Sequence, residues 1–129
     1  MGAKKILDPG WSWDDTFGFS QAVRAGNLLF IAGQVALDAS GNVVGRGDMK
    51  AQTKQVFENT KKLLEMAGAT FDDIVDLTLY VVDMSRMKEI REVRRQYLTS
   101  EPPSMTAVGV TRLVMPELLL EMKCTVALK

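Results

Sequence analysis

The chain has 129 residues, 47% hydrophobic and 25% charged, which suits one domain with a sizeable core and argues against disorder. Lys plus Arg number 16 and Asp plus Glu 16, so no net field draws the protein to nucleic acid or an anionic membrane. Histidine is absent and Cys124 is the single cysteine. Intrachain disulfides, His-based nucleophile systems and His- or Cys-ligated metal sites are thereby excluded.

The sequence from Met1 to Gly10 has no apolar run of signal-peptide length, and no stretch nears the roughly 20 apolar residues of a membrane span, so a cytoplasmic location is expected. Residues 1–17 lack a period and read as an N-terminal arm, with Trp11, Trp13 and Phe17 pinned to the body. The remainder completes a single domain over 1–129. Ser20 to Arg24 and Leu28 to Ala32 read as strands joined by a Gly26-Asn27 turn, and Val43-Val44 as a short strand. Asp48 is placed to cap a long helix running to about Ala67, where Val56, Thr60, Leu63, Leu64 and Ala67 recur at helical spacing and Gly68 supplies the stop.

Ile74 to Val82 alternates as a strand. Val75, Leu77, Leu79 and Val81 are expected on one face and Asp76, Thr78 and Tyr80 on the other, a semi-polar face that meets either water or a partner sheet. Ser85 or Asp83 caps a second helix with Met87, Ile90, Val93 and Tyr97 as its apolar stripe. Its basic residues, Arg86, Lys88, Arg91, Arg94 and Arg95, are interrupted by Glu89 and Glu92, so they form no continuous patch. Pro102-Pro103 ends this region. Thr106 to Arg112 and Leu118 to Leu128 are the last strands, the latter with Leu120, Met122, Cys124 and Val126 opposite Glu121, Lys123 and Thr125. The order predicts an α+β fold: a mixed sheet with two helices on one face.

Four stretches in this order resemble the RidA/YjgF (endoribonuclease L-PSP-like) family. They are Gly18-Phe19-Ser20-Gln21-Ala22-Val23, Leu29-Phe30-Ile31-Ala32-Gly33-Gln34, the helix from Gln52-Thr53 through Asn59 to Leu64-Glu65-Met66-Ala67-Gly68, and Leu119-Leu120-Glu121-Met122. The resemblance covers about residues 18–128. It implies a chorismate-mutase-like subunit, three of which pack their sheets into a barrel with a ligand cleft at each interface. It also implies hydrolysis of enamine/imine intermediates to 2-oxo acids and ammonia.

Carried over residue by residue, the family's Pro-Ala-Arg-Ser motif falls on Pro103-Ser104-Met105-Thr106, so Met105 stands where an Arg usually holds the substrate carboxylate by a bidentate contact. A thioether cannot donate to a carboxylate. Arg91 matches a pocket Asn and offers a substitute guanidinium, its alternative being a solvated helix arginine. Glu121 matches the glutamate that positions or deprotonates the attacking water, its alternative being a charged residue on a wet sheet face. Lys123 replaces the next glutamate. Gly33 permits close approach of a ligand to the backbone. Phe19 keeps an aromatic wall without the usual hydroxyl, Ala32 replaces a common Ser, and Ala107 replaces a common Cys.

These residues imply a more apolar cleft that takes a larger, less polar ligand, either a carboxylate or a conjugated amino compound. Neither a cofactor nor a metal is expected. Two functions fit the motifs: an enamine/imine deaminase with altered preference, or a non-catalytic trimer binding small molecules in the same clefts. Endoribonuclease activity has little support, given the absence of histidine, the balanced charge and the lack of an aromatic-basic RNA platform.

Overall fold

In the computed structural model, which describes residues 3–129, the alternating segments form one six-stranded sheet in the order β1-β2-β3-β6-β4-β5. The strands are β1 (Lys4–Leu7), β2 (Ala22–Ala25), β3 (Leu28–Gln34), β4 (Ile74–Val81), β5 (Ser104–Gly109) and β6 (Leu120–Ala127). The β4–β5 pair is parallel and every other pair antiparallel. The helices are α1 (Ser12–Phe17), α2 (Met49–Met66) and α3 (Met87–Tyr97). The expected α+β architecture with a mixed sheet is therefore present.

Alternation in β6 decides which face is core. Leu120, Met122, Cys124 and Val126 are buried, as are Leu77 and Leu79 of β4 and Leu29 and Ile31 of β3. They pack in one cluster with Val56, Phe57, Leu63 and Leu64 of α2 and Ile90 of α3, each such side chain contributing about 1.5–3 kcal/mol by leaving water. Helix α2 starts as expected, the Asp48 carboxylate accepting from the Ala51 N–H, and Gly68 follows it at φ 70°. Tyr97 closes the α3 end, its ring 4.8 Å from that of Phe57 and its hydroxyl donating to Glu58 at 2.7 Å.

Three expectations need correction. The N-terminal arm, in which no period was expected, holds regular elements: Lys4–Leu7 pair with β2 as an edge strand, and Ser12–Phe17 form a third helix that Gly18 ends at φ 72°. Within it Trp11 and Trp13 are buried, whereas Phe17 is exposed. The arm's first two residues, Met1 and Gly2, lie outside the described residues. Val75 is not on the core face. A bulge gives β4 one residue more than β6 between the Ile74↔Val126 and Asp76↔Thr125 pairs, which moves Val75 into solvent and lets Ile74 take the core position. Val43 makes only an isolated bridge with Leu37. Smaller shifts affect two strands: β2 begins at Ala22, and β5 runs earlier than expected because it pairs with β4 from Asp76↔Ser104 to Val81↔Gly109.

Side-chain amides of α2 bind the loops to this framework. Gln52 donates to the carbonyls of Gly45 (3.1 Å) and Glu117 (2.9 Å), and its own carbonyl accepts from the Leu119 N–H at 2.9 Å. Asn59 donates to the carbonyls of Val35 and Leu37. Gln52 is fully buried, so cutting it back strands three backbone groups, a loss of about 2–4 kcal/mol. Gln52→Ala should therefore lower unfolding stability by that amount in urea titrations. A loss below about 0.5 kcal/mol, the level of an ordinary surface change, would show that these bonds do not hold the loops.

Candidate functional site

The β3–β6 ladder breaks next to Glu121. Ile31 pairs with Cys124 and Gln34 with Met122, so β3 has one extra residue in between and bulges at Ala32-Gly33. Gly33 lies directly under the Glu121 side chain. A Cβ built on Gly33 would stand 2.6 Å from the Glu121 carboxyl carbon and 2.9 Å from its Cγ, far inside van der Waals contact. Gly33 is thus required for space rather than for an unusual backbone angle, and its bare backbone is what lets the Glu121 carboxylate lie there.

Glu121 belongs to the face of β6 away from the helices, paired with Tyr80 of β4. Its carboxyl is held above the ordinary glutamate range because burial disfavours the charged form, an effect that Lys123 partly offsets. It opens onto a cavity of about 340 Å³ lined by Trp13, Phe17, Phe19, Gly33, Val35, Val114 and Glu121. The three aromatic side chains form a continuous wall: Trp13 and Phe19 meet edge to face at 6.2 Å, and Phe17 and Phe19 stack at 6.4 Å.

A chain of buried amides fixes this wall. Gln34 donates to Gln21 at 2.7 Å and to the Ala32 carbonyl at 3.0 Å, and Gln21 donates to Asp14 at 2.5 Å. The Ala32 N–H in turn donates to the Gln21 carbonyl at 2.8 Å. The bulge, the Phe19 segment and α1 are thereby joined. Burial raises the Asp14 pKa, although the Gln21 bond opposes the shift.

The proposed site residues do not all converge. Phe19, Gly33 and Glu121 share the cavity, with Ala32 beside it in the bulge. Met105 and Ala107 pair in register with the core-facing Leu77 and Leu79, so they lie on the helix side of β5. Met105 lines a separate crevice of about 170 Å³ with Arg94, Arg95, Leu98, Pro102 and Pro103. Arg91 is exposed on α3 and lines neither space. Within this chain, Glu121 therefore does not meet Arg91, Met105 or Ala107 in a common cavity.

Two contributions escaped the sequence. Trp13 and Phe17 come from a helix too short to show a period, although their i, i+4 spacing is the one trace of it. Arg94, rather than Arg91, reaches Met105, its Nη1 lying 3.2 Å from the sulfur. Burial, and then the charges of Arg91 and Arg95, lower the Arg94 pKa.

The endoribonuclease L-PSP family model matches residues 14–128. A RutC family protein of Pyrococcus horikoshii is 43% identical over 95 residues, covering 74% of this chain and 75% of its own. A 2-iminobutanoate/2-iminopropanoate deaminase of Dermatophagoides farinae is 26% identical over 113 residues, or 88% of each chain. The crystal structure of a YjgF/YER057c/UK114 family member from Mycobacterium tuberculosis superposes with a TM-score of 0.84 at 31% identity, covering 97% of this chain and 99% of that one. The chain belongs to the endoribonuclease L-PSP family, the RidA/YjgF group.

The raised pKa of Glu121 has a signed consequence. The folded state holds the proton more tightly than the unfolded chain, so this group's contribution to stability is present at low pH and lost as pH rises through the folded pKa. Glu121→Gln should therefore melt at a higher temperature than the parent at pH 7, and the gap should close below about pH 4, near the unperturbed glutamate value. A gap independent of pH would rule out burial of this carboxylate.

Proposed function

We propose that the protein is an enamine/imine deaminase-like hydrolase of altered substrate preference, working as a homotrimer with Glu121 placing water in an intersubunit cleft. The observation that carries this reading is the carboxylate of Glu121, laid over bare backbone at Gly33 and facing an aromatic cavity. A carboxylate whose pKa is raised by burial is a stronger base than an ordinary one. It can orient a water and take its proton as oxygen adds to an imine carbon. The mite relative's name, 2-iminobutanoate/2-iminopropanoate deaminase, describes the same class of reaction.

The trimer is supported by the sheet face opposite the helices. Phe30 of β3 (42% exposed) and Val108 of β5 (39%) lie on it with Thr78, Tyr80, Lys123 and Thr125, a mixed surface that a second sheet would cover. It also accounts for the division of the site, since the Met105 crevice of one subunit needs a neighbour's Glu121 to become part of one cleft. Light scattering should give three times the 14.3 kDa chain mass. No helix among the described residues is long and apolar enough to cross a membrane, and the proposed setting is cytoplasmic.

Altered preference follows from Met105. With a thioether at the usual anchor, small 2-imino acids lose their bidentate partner, and the apolar wall favours larger conjugated imines. Generating 2-aminoacrylate in situ with a dehydratase should give little acceleration of oxo-acid release, whereas a conjugated aryl imine should hydrolyse faster with the protein present. Glu121→Gln should reduce that rate by about 10²–10⁴-fold. The parent's rate should fall in acid, with a midpoint above the ordinary glutamate pKa, because only the ionised carboxylate can accept the proton. Should no imine be hydrolysed, the catalytic reading fails and a non-catalytic small-molecule-binding trimer takes its place.

A further inference from the structure

We infer that Asp14 is a positioning residue for Glu121, acting through the buried amides of Gln21 and Gln34 to hold the β3 bulge on which the Glu121 carboxylate is seated. This rests on Glu121 being the working carboxylate of the proposed function, and it gives α1 a part in placing it. Asp14 is not among the residues lining the Glu121 cavity, so its effect is indirect.

The relay has a polarity, and Asp14 sets it. An ionised carboxylate accepts hydrogen bonds and donates none. Gln21 must therefore turn its NH₂ outwards to Asp14, at 2.5 Å, and its carbonyl inwards. That carbonyl accepts from the Gln34 NH₂ at 2.7 Å, and the same NH₂ donates to the Ala32 carbonyl at 3.0 Å, at the start of the bulge. Among the described residues nothing donates to the buried Gln34 Oε1, an unfavourable state for an interior acceptor. Turning both amides over would let Gln21 donate to it. That arrangement sets the Gln21 oxygen against the Asp14 carboxylate and the Gln34 oxygen against the Ala32 carbonyl, so Asp14 opposes it at the outer end. Gln21 and Gln34 are 1% and 0% exposed, covered by their own chain, so the relay does not depend on what lies against the open sheet face.

Without an acceptor at position 14 the reversed polarity is no longer opposed there, and in that arrangement the Ala32 carbonyl has no side-chain donor. The seat is narrow, since a single Cβ on Gly33 would stand 2.6 Å from the Glu121 carboxyl carbon. A small movement of the bulge therefore reaches the carboxylate. A purely structural role for Asp14 is the alternative: with Asp15 it places negative charge in the first turn of α1, which favours a helix N-terminus. That role needs the charge, whereas the relay needs only an acceptor.

Asp14→Asn keeps an acceptor oxygen and loses the charge, Asp14→Ala loses both, and Asp15→Asn removes the neighbouring charge alone. In folded, assembled protein, carbon-13 NMR of the Glu121 carboxyl, assigned with Glu121→Gln, should show the Asp14→Ala midpoint moved down towards the ordinary value of about 4.3. Asp14→Asn and Asp15→Asn should titrate as the parent does. Gln21→Met, which interrupts the relay from within, should move the midpoint the same way and serves should Asp14→Ala not fold. On an imine that the parent hydrolyses, Asp14→Ala should lose about tenfold in kcat with KM changed less than about twofold, and Asp14→Asn should restore the rate. The inference is overturned if neither relay variant moves the midpoint, or if Asp14→Asn behaves as Asp14→Ala does, which makes helix charge the cause. A moved midpoint in a protein that hydrolyses no imine defeats only the hydrolase, and hydrolysis with an unmoved midpoint defeats only the positioning.

Discussion

The Gln52 carboxamide is where this structure's loops, sheet and long helix are bound together. It satisfies the carbonyls of Gly45 and Glu117 and the N–H of Leu119 from one buried side chain. Strand β6 begins at Leu120, one residue beyond that clamp, and Glu121 is next in line. The position of the candidate catalytic carboxylate is therefore inherited from a side chain on α2 that never approaches the cavity. A buried amide can do this because leaving its partners unpaired in the interior costs more than the net value of each bond. The family-like Gln-Thr and Asn of this helix are accordingly structural residues here. Gln52 and Asn59 hold loops, and Thr53 bonds back to the Met49 carbonyl within the helix.

On the other side of Glu121, the constraint is an absence of atoms. The β3 bulge and the missing Cβ of Gly33 together make a recess that a carboxylate can fill. The bulge also turns the chain so that the Gln34 amide reaches Gln21 and, through it, Asp14 of α1. Trp13, next to Asp14, and Phe17, one turn after Trp13, are thus aligned with Phe19 by polar bonds behind the wall rather than by the wall itself. Core packing alone would leave such an aromatic group free to adjust. The amide relay ties its position to the same bulge that seats Glu121.

Much of this was legible in the sequence, for reasons that differ by element. The long helix was clear because its cap, its period and its stop at Gly68 agree with one another. Strand β6 was clear because burial on one face enforces strict alternation. Helix α1 was not, since it has six residues and a tryptophan at its N-cap position with no capping side chain. Val75 was misplaced because a bulge depends on the partner strand, which a one-dimensional pattern cannot contain. For the site, Phe19, Gly33 and Glu121 converge on one cavity, whereas Met105 and Ala107 lie on the helix side of a strand two positions away from β6. Their residue types suggested a shared pocket. Their faces are fixed only by the register of β5 against β4.

That register also changes what Met105 signifies. Read along the sequence, it is a lost anchor. In three dimensions its sulfur lies 3.2 Å from a guanidinium nitrogen of Arg94, so positive charge is still present beside the position but comes from α3 rather than from β5 itself. None of the three salt bridges among the described residues involves Arg94. Glu121 with its aromatic wall and Arg94 over Met105 thus form two separate recesses of opposite charge on opposite faces of the sheet. Met105 therefore changes which segment supplies the cation at that recess, α3 in place of β5, rather than emptying the recess of positive charge.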